Sequence, residues 1–178
     1  YMQTLVSLFE NKVAEHSDNP LLWEKQNGQY VSTSYSETRK KVHQFAAGLM
    51  NLGVKKGDRI ALLSEGRNDW IISELGILYT GGINVPLSVK LDATTELKFR
   101  LSHSGSRMII VSNNHAWKID AIKNDLPELE KIIYLDPKDQ YGNGELPKEE
   151  VYNLGENYLI TNKVDFENTY QSVRPGDY

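Results

Sequence analysis

Short apolar runs alternate along the chain with segments whose apolar residues recur every three or four positions. A run that is apolar at nearly every position is buried on both faces, as strands are inside a parallel sheet. The intervening period of three to four residues is that of amphipathic helices. The pattern therefore predicts an α/β fold with a doubly wound, mainly parallel sheet and flanking helices. The predicted strands are 59–64, 83–86, 107–111 and 132–135.

Polar residues at the starts of the periodic segments indicate where the helices begin. Ser34 and Glu37 form a capping box, in which each side chain bonds the backbone N–H of the other residue. Asn68 and Asp92 are predicted as N-caps of two later helices. Gly53 is predicted as a left-handed cap at the end of the second helix. The predicted helices are 4–16, 34–52, 68–80, 92–104 and a weaker one at 116–124.

A small β-hairpin is predicted between the first two helices. Asn27-Gly28 separates two short strands, 21–25 and 29–32. Both residues tolerate the positive φ angles that a two-residue hairpin turn requires. We expect this hairpin to be a separate small feature.

The 178 residues are expected to form one lobe, 1–178, with a compact α/β part over about 3–135. Residues 136–150 are rich in Asp, Gly, Pro, Lys and Glu, which indicates an exposed excursion. A helix is expected over 151–163, whereas 164–178 is expected to be irregular. Tyr1 is expected to precede a natural start at Met2, and Tyr178 is not expected to be a natural terminus.

Composition excludes several classes of function. The net charge of −4 and pI near 5.6 give no electrostatic basis for binding nucleic acid. The Arg39-Lys40-Lys41 cluster fits a solvated helix face. The chain has no cysteine, which excludes thiol chemistry and fits a cytoplasmic protein. No apolar run has the roughly 18 residues of a membrane helix, and no transmembrane segment is expected.

Self-sufficient catalytic motifs are missing from the sequence. It has no phosphate-binding G-x-x-x-x-G-K-[ST] loop, no dinucleotide-binding G-x-G-x-x-G and no G-x-S-x-G nucleophile elbow. The four histidines lack metal-ligand spacing and are expected to be solvated. The acidic clusters lie in polar stretches, where burial is not expected to shift a carboxyl pKa. The residues concerned are His16, His43, His103 and His115, and the clusters Glu128/Glu130 and Glu145/Glu149/Glu150.

The segment after strand 59–64 is the position at which a doubly wound sheet could bind a ligand. Ligands of such sheets lie beyond the carboxyl ends of the strands, and anions bind at helix N-termini. Arg67 and Asn68 occupy this position, but ion pairing and capping are sufficient to explain them. Gly81-Gly82 is expected to form a tight turn after the third helix.

Four segments in order resemble AMP-forming acyl-CoA synthetases of the adenylate-forming superfamily. Ser64-Glu65-Gly66-Arg67-Asn68-Asp69-Trp70 is similar to the "S-E-N-R-P-E-W" of the long-chain fatty-acid branch, although Gly66 and Asn68-Asp69 depart from it. Ser88-Val89-Lys90 replaces the usual "Y-P-T", which weakens the assignment of chain-length class. The resemblance covers about 3–135 and extends to Arg174-Pro175-Gly176-Asp177. The four segments are 34–64, 64–70, 75–87 and 97–111.

The resemblance implies a fragment of a fatty acid–CoA ligase that uses ATP, magnesium and coenzyme A. The family's phosphate-binding loop, magnesium-binding glutamate, ribose-binding aspartate and catalytic lysine all lie later in the sequence. No catalytic, cofactor-binding or metal-binding residue can therefore be assigned in this chain, and the chain alone is expected to be inactive and to bind none of these groups.

Other interpretations stay open. The whole protein could be another adenylate-forming enzyme, such as an aryl-CoA ligase or an adenylation domain, or the chain could be a non-catalytic α/β interaction module. As a fragment it would expose apolar surface near its C-terminal segment and on helix 68–80. Through such a surface the chain could associate with itself. Peripheral contact of the protein with a membrane also stays open.

Overall fold

A five-stranded parallel sheet forms the centre of the protein, in a computed structural model that describes residues 3–177. The expectations about the chain ends rest on Tyr1, Met2 and Tyr178, which lie outside the described residues. Its strands are β3 (Arg59–Leu63), β4 (Ile83–Pro86), β5 (Met108–Val111), β6 (Lys131–Tyr134) and β7 (Glu145–Pro147), and the antiparallel hairpin strands before them are β1 (Pro20–Gln26) and β2 (Gln29–Ser34). The sheet order is β4-β3-β5-β6-β7.

Helices cover both faces of the sheet, because alternate residues of each strand point to opposite sides. The helices are α1 (Leu5–His16), α2 (Tyr35–Asn51), α3 (Asn68–Tyr79), α4 (Lys98–Ser104), α5 (Asn113–Ile122), α6 (Lys148–Thr161) and α7 (Lys163–Gln171). Ile60 and Leu62 of β3 face α1, α2, α3, α6 and α7. Ala61 and Leu63 face the opposite layer, which contains α4 and α5.

The predicted doubly wound parallel sheet is confirmed. All four predicted strands are present, with bounds within one residue of those expected, and every strand pair in the sheet is parallel. The hairpin is confirmed as well. Asn27 and Gly28 have φ angles of 50° and 85°, which are the left-handed values that the turn requires.

The capping residues were predicted with one error. Ser34 and Glu37 form the expected capping box, with N–H to side-chain oxygen distances of 3.2 and 2.9 Å. Asp92 accepts bonds from Thr94 and Thr95, although the turn it opens, Ala93–Leu97, is a π-helix that leads into α4. Asn68 is not the N-cap of α3. Arg67 occupies that position, and the carboxylate of Glu24 in the hairpin accepts from the Asn68 N–H at 3.3 Å.

The expected irregular C-terminal region contains regular structure instead. Residues 136–150 include β7, which extends the parallel sheet beside β6. The predicted helix 151–163 is present as α6, which starts three residues earlier. Residues 164–178 were expected to be irregular, which is wrong over α7, whose Phe166 is buried in the main core. This region therefore contributes one strand to the sheet and two helices, α6 and α7, to the helical layer on one of its faces.

Exposed apolar side chains were expected near the C-terminal segment and on helix 68–80, and in the described part of the chain they occur only at the first of these places. Ile160 and Val164, at the junction of α6 and α7, are 77% and 68% exposed. Within residues 3–177, α3 contributes none of the large exposed apolar side chains, because α2 packs against it. No helix in this part of the chain combines the length and apolar character needed to cross a membrane.

Candidate functional site

The carboxyl ends of β3 and β5 mark the point at which a doubly wound sheet usually binds ligands. The two strands are neighbours, and the helices that follow them, α3 and α5, pack on opposite faces. This divergence opens a crevice at the sheet edge. In this protein the crevice is bordered by residues 64–68 after β3 and 112–115 after β5.

Side chains of the protein itself occupy this crevice. Ser112 donates to Glu65 Oε2 at 2.6 Å, and Asn114 donates to Glu65 Oε1 at 3.3 Å. His115 Nε2 lies 3.5 Å from the same carboxylate. Burial alone would raise the pKa of Glu65, but these hydrogen bonds and the charge of Arg67 outweigh it and lower that pKa. Glu65 is thus an ionised acceptor that joins the two strand ends.

An ion-pair network extends this crevice toward α6. Arg67 Nη1 lies 2.9 Å from both carboxylate oxygens of Asp136, and its Nη2 lies 2.8 Å from Asp69. Lys148 reaches the same oxygen of Asp69 at 2.8 Å. Asp136 also accepts from the Asn113 N–H, at the start of α5. The ion-pairing interpretation of Arg67 is therefore correct. We call the residues Glu65, Arg67, Asp69, Ser112, Asp136 and Lys148 the carboxyl-edge network.

This network does not fit magnesium-bound ATP. Both of its cations, Arg67 and Lys148, are paired with carboxylates. The N-termini of α3 and α5 face Glu24 and Asp136, which would repel phosphate. Within residues 3–177 no three His, Asp or Glu side chains are grouped closely enough to hold a metal ion. We therefore assign no chemical step to these residues.

A second polar cluster, which no sequence pattern indicates, lies among α1, α2, α3 and α7. The Glu10 carboxylate accepts from Arg39 at 2.8 Å, His43 at 2.8 Å and Tyr79 at 2.6 Å. Burial opposes its ionisation, but these three donors prevail and lower the pKa of Glu10 to about 2. Burial beside Glu10 in turn raises the pKa of the Tyr79 hydroxyl. The hydrogen bonds of this cluster link α1, α2 and α3.

The expectation that every histidine is solvated is wrong at His43. Its side chain is 13% exposed and contacts the rings of Tyr79, Phe166 and Tyr170. His115 is also largely buried, whereas His16 and His103 are exposed as expected. Arg39 likewise departs from the solvated helix face, because it is paired with Glu10, while Lys40 and Lys41 are exposed. No signal in the sequence links Glu10 to His43, which lies 33 positions later.

The expectation that the acidic clusters are exposed, with no shift of a carboxyl pKa by burial, is wrong at Glu145. Its side chain is only 6% exposed and is bonded to Lys123, to Lys138 and to the Gly142 N–H. Burial disfavours the charge, but the two lysines and the N–H lower the pKa of Glu145 to about 2. Glu128, Glu130, Glu149 and Glu150 are exposed, as expected. Glu145, the first residue of β7, therefore links the 136–144 loop to the turn that follows α5.

The sequence matches the family model described as AMP-binding enzyme over residues 9–173. It is 33% identical over 121 residues to a long-chain-fatty-acid–CoA ligase of Escherichia coli O6:H1, which covers 67% of this chain and 21% of that protein. It is 27% identical over 112 residues to a nonribosomal peptide synthetase of Aspergillus cristatus, which covers 63% of this chain and 5% of that protein. The chain spans about a fifth of the length of the curated ligases that it matches.

Solved structures share the fold. A coronafacic acid ligase from Pectobacterium brasiliense superposes with a TM-score of 0.78 and 26% sequence identity. The superposition covers 85% of this chain and 29% of that one. The superposed part includes far more residues than the sheet alone, so the helical layers correspond as well.

Proposed function

Because the chain belongs to the AMP-binding enzyme family, we propose that it forms the N-terminal lobe of an acid–thiol ligase. That membership confirms the resemblance seen in the sequence motifs. In the proposed reaction, a substrate carboxylate attacks the α-phosphate of ATP and forms acyl-AMP with release of pyrophosphate. The thiol of coenzyme A then attacks the acyl carbon, loses its proton and displaces AMP. The products are acyl-CoA, AMP and pyrophosphate.

This lobe would act as a scaffold in that reaction. The observation that carries the assignment is the carboxyl-edge network, whose cations are already paired with Asp69 and Asp136. A phosphate could bind there only by breaking these pairs, since the nearby helix N-termini also face carboxylates. Residues outside 3–177 would therefore hold ATP and magnesium and supply the charge neutralisation that phosphate attack requires.

A fatty acid is the proposed substrate. The 33% identity to a long-chain-fatty-acid–CoA ligase supports this choice, as does the likeness of 64–70 to the fatty-acid branch. A second candidate is another adenylate-forming enzyme that acts on a different acid. The matches to a peptide synthetase and to a coronafacic acid ligase favour that candidate, since both share the same lobe.

Acid-dependent exchange of labelled pyrophosphate into ATP tests the proposal on the full protein that contains this lobe. We expect hexadecanoate to support exchange at least tenfold faster than benzoate, 2-aminobenzoate or an amino-acid mixture. Hexadecanol, which lacks the carboxylate, is the matched control and should support none. Faster exchange with an aromatic or amino acid would favour the second candidate. No exchange with any acid would contradict the proposal that the protein forms acyl adenylates.

A further inference from the structure

A cavity of about 350 Å³ lies between α2 and the α6–α7 corner. It shares no residue with the carboxyl-edge network. Its volume is at the lower end of the range for small-molecule sites. The side chains that carry the argument are Arg39, Lys40, His43, Leu159, Lys163 and Phe166.

The cavity carries more positive than negative charge. Arg39 donates to Glu10 through Nε. Its two terminal nitrogens make no hydrogen bond within residues 3–177. Lys40 has no ion-pair partner in this part of the chain. Lys163 lies 3.8 Å from Glu167, but both side chains are exposed, so that pair is weak. Lys40 and Lys163 can thus turn toward an anion, against the single lining carboxylate of Glu167. Arg39 is already paired with Glu10 and can add only its two terminal nitrogens.

The wall formed by α6 and α7 contains apolar side chains beside Lys163 and Glu167. Phe166 is only 1% exposed and packs against the rings of His43 and Tyr170, so its position is fixed. Leu159 lines the same wall. Ile160 and Val164, the neighbours of the lining residues Leu159 and Lys163, are the large exposed apolar side chains of the α6–α7 corner. The α6–α7 corner that forms one wall of the cavity therefore also carries exposed apolar side chains.

We propose that this cavity binds an amphiphilic anion, in which a phosphate or carboxylate head is joined to an apolar chain. The head would lie against Arg39, Lys40 and Lys163, since ammonium and guanidinium groups form charge-assisted hydrogen bonds to such oxygens. The chain would lie along Leu159 and Phe166 and leave the cavity at the α6–α7 corner. Arg39 and Lys40 on α2 would thus both bind the ligand.

Calorimetric titration of the 178-residue chain tests this site with four probes. The two amphiphilic anions are used below their micelle concentrations. Decyl phosphate and decanoate carry different anionic heads, decanol carries none, and inorganic phosphate lacks the apolar chain. We expect saturable one-to-one binding of decyl phosphate or decanoate, with a Kd below about 1 mM. The tighter of the two identifies the head group. Decanol and inorganic phosphate should each bind at least tenfold more weakly.

The double variant K40Q/K163Q locates the binding. Both lysines are exposed, so their replacement should preserve the fold, which thermal unfolding verifies. We expect the affinity for the anionic probe to fall about tenfold or more. K41Q is the matched control, because Lys41 is an exposed neighbour on α2 that does not line the cavity, and its affinity should stay within twofold. The proposal is overturned if neither anion binds, if decanol or phosphate binds equally well, or if K40Q/K163Q binds like the unmodified chain.

Discussion

Replacing Gly155 with alanine is expected to lower the free energy of unfolding by about 3 kcal/mol or more. Gly155 lies where α6 crosses α2 at backbone contact. A Cβ at this position would lie 1.7 Å from the Gln44 carbonyl oxygen and 2.8 Å from the Gly48 nitrogen. These are backbone atoms, so no side-chain rotation relieves the clash. The α6 helix would have to move away from α2, which would expose Val151 of the core.

Urea denaturation followed by circular dichroism measures this effect. Gly66→Ala is the matched control, because Gly66 does not need a left-handed φ angle and a Cβ there meets no atom within 4 Å. We expect its change to stay within about 0.5 kcal/mol. A Gly155→Ala chain that unfolds at the same urea concentration as Gly66→Ala would show that α6 does not pack on α2 as described.

Replacing Glu10 with glutamine is expected to cost about 2 kcal/mol of stability at pH 6. The Glu10 carboxyl has a pKa of about 2 in the folded protein against 4.5 as its ordinary value. The carboxylate is 22% exposed, so solvent screens part of its interactions, and the expected cost is reduced accordingly. Glu15→Gln is the matched control on the same helix. Its carboxylate is exposed beside Lys12, and its replacement should leave stability almost unchanged.

The effect of Glu10 should depend on pH in a defined direction. Because folding lowers the pKa of this carboxyl, its contribution is complete above the ordinary value of 4.5 and is lost as pH falls toward 2. Denaturant unfolding of both proteins at pH 6 and pH 2.5 measures this dependence. We expect the difference between unmodified chain and Glu10→Gln to fall below about 1 kcal/mol at pH 2.5. A difference that stays constant or grows toward low pH would contradict the described hydrogen bonds.

The sheet could be predicted because its strands carry local signals. The strands β3, β5 and β6 are buried on both faces, so burial and sequence pattern agree at nearly every position of these three. The edge strand β4 is only partly buried. The strand β7 carries no such signal, since only Leu146 of its three residues is fully buried. Helix α7 was missed for the same reason, because Phe166 is its single buried residue and supplies no periodicity. These elements depend on contacts with distant parts of the chain.

The polar clusters could not be predicted because their members are far apart in sequence. Arg67 meets Asp136 across 69 positions, and Glu10 meets Tyr79 across the same separation. The error at Asn68 has a similar cause, since Glu24 from the hairpin supplies the acceptor that a local cap would otherwise provide. Sequence patterns placed Arg67 at the correct sheet edge, but only the folded chain shows which carboxylates neutralise it.

We propose that the carboxyl edge of this lobe is closed to nucleotide and that the lobe acts as a scaffold. Calorimetric titration with ATP and magnesium, on the 178-residue chain and on the full protein that contains it, tests this proposal. We expect saturable binding by the full protein and none by the chain alone. Binding to the chain alone with a Kd below about 100 μM, roughly −5.5 kcal/mol, would contradict the proposal, because the carboxyl-edge network or another part of the lobe would then accept phosphate.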